Sequence, residues 1–193
     1  MAKGKSALAM ALKKKIGSND EIQKVSHWID SGFPPLNKAI SGRYDGGFPS
    51  GRIVEIFGPP SAGKTFLATA AMVSTQKQEG LAVFLDHENS FDVGLAVANG
   101  LNADEDDGQW VYKQPDTFEE SVELIGTILK LVRDEELIPA DAPICIVADS
   151  LASMVPNSKA EKFDKMAEGT AKDKDQLNMN DNTALARATS ANF

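Results

Sequence analysis

The sequence has few of the residues that carry disulfide, soft-metal and membrane chemistry. Its 193 residues include one cysteine, Cys145, and two histidines, His27 and His87. One cysteine cannot close an intramolecular disulfide. Its place in the apolar run Ile144-Cys145-Ile146-Val147 marks a buried, inert thiol rather than a nucleophile, and the expected compartment is a reducing cytoplasm. So small a supply of thiolate and imidazole offers little to zinc-type sites. Long apolar runs are missing too. A membrane span needs roughly 20 consecutive apolar residues, whereas the candidate near the start, Ala7 to Leu12, has six. Flanked by Lys3, Lys5 and Lys13 to Lys15, that run is also too short for a secretory signal, and no small-residue cleavage pattern follows. The first 19 residues lack acid, as organelle-targeting peptides do, but they lack Arg as well. No membrane partner is expected.

What is present describes a soluble domain: 42% hydrophobic and 25% charged residues, with nine Phe among them. A chain of this size buries about 70% of its unfolded surface. The formal net charge of −8 conceals an asymmetry, because residues 1–28 hold six Lys and two acids while the remainder holds 14 basic and 26 acidic residues. The acidic balance argues against nonspecific duplex binding by the whole surface, although local basic elements can still contact phosphates.

Residues 1–28 read as an arm and linker. Leu8, Met10, Ala11, Leu12 and Ile16 lie among lysines, as in a short amphipathic helix that ends near Gly17-Ser18-Asn19-Asp20. It either folds against its own domain or docks on a neighbouring subunit. Residues 31–50, rich in Gly and Pro, are mostly turn, with one helical turn over Leu36 to Ile40. Ile53 to Phe57 then predicts a strand, Thr65 to Gln78 a helix closed by Gly80, and Leu81 to Asp86 a second strand. A short helix over Val93 to Asn99 and a strand over Trp110 to Lys113 follow. Asp116-Thr117 before Glu119-Glu120 resembles a capping box opening a helix whose face is Phe118, Val122, Ile125, Leu129 and Val132. Ile144 to Ala148 is a buried strand. The alternation βαβαβαβ predicts an α/β fold with a parallel sheet and right-handed crossovers. Lys159 to Lys174 reads as a mobile, solvated loop, and a helix resumes over Thr183 to Ser190.

Chemistry concentrates at three places. Gly58-Pro59-Pro60-Ser61-Ala62-Gly63-Lys64-Thr65 satisfies G-x-x-x-x-G-K-[ST] directly between a predicted strand and a predicted helix. Such glycines let the backbone curl its N–H groups around an anion, the helix N-terminus adds positive potential, Lys64 reaches the β and γ phosphates, and the Thr65 hydroxyl serves Mg²⁺. Ile144 to Ser150 is an apolar strand ending in Asp149, which suits a carboxylate that supports Mg²⁺ beside such a loop. Leu85-Asp86-His87-Glu88 ends the strand after the phosphate loop. Glu88 there can activate a water for attack on the γ phosphate, or Glu88 or Asp86 simply caps the following turn. His87 reads as a polar loop residue.

With these motifs in order, the chain resembles the RecA-like homologous recombinases from about Ile29 to Leu151. Gly51-Arg52-Ile53-Val54-Glu55-Ile56-Phe57-Gly58-Pro59 is similar to the family's approach to its phosphate loop. Phe84 to Glu88 with Phe91-Asp92 resembles its catalytic-glutamate segment, Gln114-Pro115-Asp116-Thr117 a characteristic turn, and Val147 to Ser150 the end of its metal-supporting strand. The resemblance implies a RecA-like P-loop NTPase core, residues 29–193, with a mainly parallel sheet flanked by helices. It also implies an ATP- and Mg²⁺-dependent recombinase that polymerises into a homo-oligomeric filament on single-stranded DNA. Pairing with homologous duplex DNA and strand exchange, in recombination and repair, would follow. Carried across, Gly58, Pro59, Pro60, Ser61, Ala62, Gly63, Lys64, Thr65 and Phe66 bind nucleotide. Lys64 and Glu88 are catalytic, Thr65 and Asp149 serve the metal, and Asp92 lies near adenine. Leu95 falls where many members stack a Tyr on the base, so the purine contact differs here. The N-terminal arm resembles the family's subunit-association segment.

Residues 156–182 correspond in position to the family's first DNA-binding loop, but with poor similarity. Lys159, Lys162, Lys165, Lys172, Lys174 and Arg187 either pair with DNA phosphates or belong to a solvated charged loop. The divergence marks a distant branch, of which a phage-encoded protein is one candidate. The family's next strand, with its glutamine sensor and second DNA loop, lies between the phosphate-loop strand and the Asp149 strand and has no counterpart before Phe193. The chain therefore reads as an N-terminal portion with an incomplete sheet. Two other readings stay open. One is a noncatalytic module that binds or caps recombinase filaments. The other is a small P-loop kinase, disfavoured by the 57 residues before Gly58 and by only four Arg.

Overall fold

The computed structural model describes residues 8, 10, 11, 13–15, 24–107 and 109–172. Its centre is a three-stranded parallel sheet with strands β3 (Leu81–Asp86), β4 (Trp110–Lys113) and β5 (Ile144–Asp149) in the order β4-β3-β5. Every residue of β3 is buried. Its alternate side chains serve two cores, as a period of two requires. Ala82 and Phe84 pack with Met72, Val73, Ala96, Leu101 and Trp110 on one face. Leu81, Val83 and Leu85 pack with Val132, Ile125 and Ile128 on the other. Helices α2 (Lys64–Gln76) and α3 (Val93–Ala98) thus cover one face, and α4 (Phe118–Asp134) covers the opposite one. This is the three-layer arrangement expected from the βαβ alternation. No helix among the described residues is long and apolar enough to cross a membrane.

Local chemistry explains most boundaries. The capping box opens α4 as expected: Thr117 Oγ1 accepts the Glu120 N–H, and Glu120 Oε2 accepts the Asp116 N–H at 2.8 Å. The helical turn expected over Leu36 to Ile40 is a fuller helix, α1 (Pro34–Ser41), with Pro at its first positions and Gly42 as left-handed cap. Proline's fixed φ suits a helix start. A two-stranded antiparallel ribbon pairs β1 (Trp28–Ile29), just before the stretch read as turn, with β2 (Phe48–Pro49) inside it. Its Ile29 and Phe48 share a small core with Ala71.

Three expectations need correction. Ile53 to Phe57 forms no strand and pairs with none among the described residues, and Ile53 and Phe57 are 82% and 86% exposed. β-propensity describes fit to a neighbouring strand, and none lies beside it among the described residues, where β5 is the edge of the sheet, half-buried along most of its length. Ile56 of this segment packs against the Ile29, Phe48 and Ala71 core. Second, the loop expected over Lys159 to Lys174 contains helix α5 (Asn157–Ala167). Mixed charges at helical spacing compete poorly with sequence-level loop signals, yet Glu119 Oε2 accepts the Asn157 N–H at 2.9 Å and anchors the first turn on α4. The helix expected over Thr183 to Ser190 lies outside the described residues, as does most of the N-terminal arm, where Leu8, Met10, Ala11 and Lys13 to Lys15 are helical.

The third correction concerns Gly80. The helix cap is Lys77, and the left-handed residue is Glu79, with φ 59°. Gly80 is needed for close approach: a Cβ there would lie 2.1 Å from the Pro143 carbonyl oxygen and 2.8 Å from Thr75 Cγ2. Gly80→Ala is expected to destabilise the fold by roughly 1–3 kcal/mol through overpacking, read as a lower urea midpoint. Cys145 is pushed up to about 11 by burial, which outweighs a hydrogen bond with Thr75. By solvent exposure the residue is half-buried, so its thiol should react with a thiol reagent at neutral pH more slowly in the native protein than after denaturation; native-state labelling at the rate of a free thiol would contradict this packing.

Candidate nucleotide site

The phosphate-loop motif, the end of β3 and the end of β5 meet at the carboxyl edge of the parallel sheet. The loop curls because Gly63 and Ser61 take positive φ, 85° and 60°. Gly63 is the residue before α2, so the helix starts at Lys64. The first amides of an α-helix have no acceptor within the helix, and together with the macrodipole they favour an anion at that end. Ser61, Ala62, Gly63, Lys64, Thr65 and Phe66 line an open depression of about 250 Å³ there. Phe66 is anchored edge-on against Phe33, with ring centroids 6.1 Å apart.

Lys64 Nζ donates to the carbonyl oxygens of Gly58 and Pro59, at 3.1 and 3.0 Å. Those contacts hold the ammonium across the loop. Thr65 Oγ1 donates to Asp149 Oδ2 at 2.7 Å, joining residues 84 apart in sequence. The register of β3 with β5 places Asp86 opposite Asp149, and the His87 N–H donates to the Asp149 carbonyl at 2.8 Å. Glu88 follows on an exposed turn. Its Oε1 accepts from the hydroxyls of Ser150 and Ser153, which belong to the turn after β5. Lys64, Thr65, Asp149 and Glu88 therefore share one edge of the fold.

Asp86 decides the alternative left open in the sequence: it, and not Glu88, organises the turn. Its two oxygens accept the backbone N–H groups of Glu88, Ser90 and Phe91 and the Tyr112 hydroxyl, at 2.9–3.3 Å. Burial alone would raise its pKa, but the four donated hydrogen bonds outweigh that and hold it below the ordinary aspartate value. His87 turns away, its Nε2 2.8 Å from Ser121 Oγ on α4. Burial lowers its pKa against the opposing charges of Asp86 and Glu120. Gln114, from the Gln-Pro-Asp-Thr turn, donates to Asn89 Oδ1 at 2.7 Å and ties β4 to the same turn.

Asp92 has a different occupation from its expected neighbours. It caps α3, accepting the Leu95 N–H at 2.8 Å, while Leu95 itself is 57% exposed. Of the basic residues considered for DNA, Lys159, Lys162 and Lys165 lie on α5 and Lys159 stands over the Phe163 ring. Lys174 and Arg187 lie outside the described residues. The roles of Ser150, Ser153 and Tyr112 had no sequence signal, since isolated hydroxyls show no motif.

The set Thr65 hydroxyl and Asp149 carboxylate is hard and oxygen-based, which fits a magnesium ion better than a softer metal. Among the described residues no three His, Cys, Asp or Glu side chains converge.

Known proteins resemble this chain closely. The family model described as the RecA N-terminal domain matches residues 4–182. A protein called Protein RecA from Desulforapulum autotrophicum is 39% identical over 147 residues, 76% of this chain and 37% of that protein. Namesakes from Treponema denticola and Oceanobacillus iheyensis are 40% and 38% identical, over 75% and 83% of this chain. The chain spans 31% to 44% of the length of these three relatives.

Asp86→Asn should loosen the turn that carries Glu88, because an amide presents one acceptor oxygen to four donors. A loss of about 1–3 kcal/mol is expected, with faster hydrogen exchange at the amides of Glu88, Ser90 and Phe91. The depressed carboxyl contributes stability that is complete above the ordinary value of 3.8 and is lost as pH falls through the lower, folded value. In Asp86→Asn that portion of the acid destabilisation should vanish from denaturation curves taken at successive pH values.

Proposed function

This chain belongs to the RecA family, and from that membership and the geometry of its site we propose that it carries the ATP-binding part of a DNA-dependent recombinase. The single observation that carries the reading is the Thr65–Asp149 hydrogen bond, which joins the phosphate loop to the strand end beside Glu88. In this reading the amides of residues 61–66 and the Lys64 ammonium hold the triphosphate of ATP. Thr65 and Asp149 hold Mg²⁺, which neutralises phosphate charge when bound. Glu88 accepts a proton from the water that attacks the γ phosphorus, and the bond to the β–γ bridging oxygen breaks as ADP leaves. Asp92 lies near adenine, with Leu95 in place of a stacking ring. Polymerisation through the N-terminal arm, binding of single-stranded DNA and pairing with homologous duplex complete the proposal for the whole protein.

One observation favours a second reading, a noncatalytic module that joins recombinase filaments. Among the described residues the edge of β5 is open and Ile53 to Phe57 is unpaired, and in this reading the order of the polymer, not turnover, is what this chain affects.

The two readings separate experimentally. Lys64→Ala should weaken binding of a fluorescent ATP analogue by about 100-fold, whereas Glu88→Gln should retain binding and lose turnover by about 100-fold or more. Equal binding by wild type and Lys64→Ala would remove the site assignment. Tight binding with no turnover by wild type, even with single-stranded DNA present, would favour the module.

A further inference from the structure

The Glu88 carboxylate is held unequally. Its Oε1 accepts hydrogen bonds from Ser150 Oγ at 2.6 Å and Ser153 Oγ at 3.1 Å. The two hydroxyls are themselves 3.3 Å apart, so they form a compact pair around one oxygen. Among the described residues no hydrogen bond reaches Oε2. An oxygen already accepting two hydrogen bonds has little capacity left for an incoming proton, whereas its partner keeps its lone pairs.

The platform beneath these hydroxyls is fixed at both ends. Ser150 and Ser153 bracket a 3-10 turn, Leu151–Ser153, closed by the Ser153 N–H to the Ser150 carbonyl at 3.0 Å. Beyond it, the Phe118 N–H donates to Val155 O at 3.0 Å and the Asn157 N–H to Glu119 Oε2 at 2.9 Å, tying the segment to α4. The Glu88 backbone is fixed independently, because its N–H donates to Asp86 Oδ1 at 3.1 Å. An exposed glutamate would otherwise spread over several rotamers.

We propose that Ser153, together with Ser150, is a positioning residue for hydrolysis: the pair occupies Glu88 Oε1 and leaves Oε2 as the atom that takes the proton of the attacking water. This rests on the hydrolysis reading above. In the step itself the water oxygen bonds to the γ phosphorus, its proton passes to Oε2, and the electron pair of the broken phosphorus–oxygen bond leaves on ADP. Solvent then recovers the proton from Glu88. The serines change no bond. They set which oxygen is free and where it stands.

The test compares wild type, Ser153→Ala, Ser153→Thr, Glu88→Gln and the double variant Glu88→Gln/Ser153→Ala in the full chain, with Mg-ATP and single-stranded DNA. Ser153→Ala should lower kcat about tenfold with the dissociation constant of a fluorescent ATP analogue unchanged. Ser153→Thr, which keeps the hydroxyl, should restore kcat to within about twofold. The double variant should be no slower than Glu88→Gln alone, because the hydroxyl acts only through that carboxylate. Wild-type kcat in Ser153→Ala, beside an inactive Glu88→Gln, would overturn the positioning role and leave the hydrolysis reading standing. So would a loss of kcat that Ser153→Thr does not restore, or one matched by weaker nucleotide binding. A wild-type chain without turnover, or a fully active Glu88→Gln, would instead defeat the hydrolysis reading, and this inference with it.

Discussion

The parallel pairing of β3 with β5 is the constraint on which the rest of the molecule depends. It runs in unbroken register from Leu81 opposite Ile144 to Asp86 opposite Asp149. Because side chains alternate across a sheet, a slip of one residue would turn the apolar set of a strand to the wrong face. In β3 that slip would exchange the residues of the two cores. The same register delivers both carboxylates to one edge. Burial of the strand and convergence of the site are thus one geometric fact.

Three carboxylates at that edge have separate environments, and their environments divide their labour. Asp86 is buried and saturated by three amides and a phenol, so its charge is spent on shaping a turn. The Asp149 carboxylate accepts from the Thr65 hydroxyl alone among the described residues. Glu88 is exposed and held through one oxygen. Proximity without shared hydrogen bonds keeps a general-base candidate distinct from a structural carboxylate only two residues away. Fixing the turn through Asp86 also pre-organises Glu88, which is what a positioned base needs.

The sheet is strong on one side and open on the other. Toward β4 the aromatic rings of Phe84, Phe91, Trp110 and Tyr112 stack in sequence, with Phe84 and Phe91 centroids 3.9 Å apart. Beyond β5 no strand lies among the described residues, and the segment leading into the phosphate loop touches the core through Ile56. The loop's position therefore comes from α2, which packs on β3 and β5, rather than from a strand preceding it. A glycine-rich loop supported from behind by its helix can form even where its leading segment is unpaired among the described residues.

Much of this was legible in the residues. The apolar run from Leu81 to Leu85, the strand-forming residues Trp110 to Lys113, the capping box at Thr117 and Glu120, and the spacing of Gly58, Gly63, Lys64 and Thr65 are local patterns. Local patterns survive in one dimension because propensity, capping and loop chemistry act over a few residues. The residues themselves thus determined the alternation of strands and helices from α2 onward and the start of α2 to within one residue, and they singled out Lys64, Thr65, Glu88 and Asp149 as candidates. Ile53 to Phe57 shows the limit: its composition is that of a strand, but a strand exists only when another backbone satisfies its hydrogen bonds. Tertiary structure alone decided that this segment stays unpaired, that Gly80 is required by the Pro143 carbonyl, and that Asp86 rather than Glu88 caps the turn. It alone brought Ser150 and Ser153 to one oxygen of Glu88. Each of these depends on contacts between residues far apart in the chain, whose partners are chosen by packing and by the satisfaction of buried polar groups, and no local pattern encodes that choice.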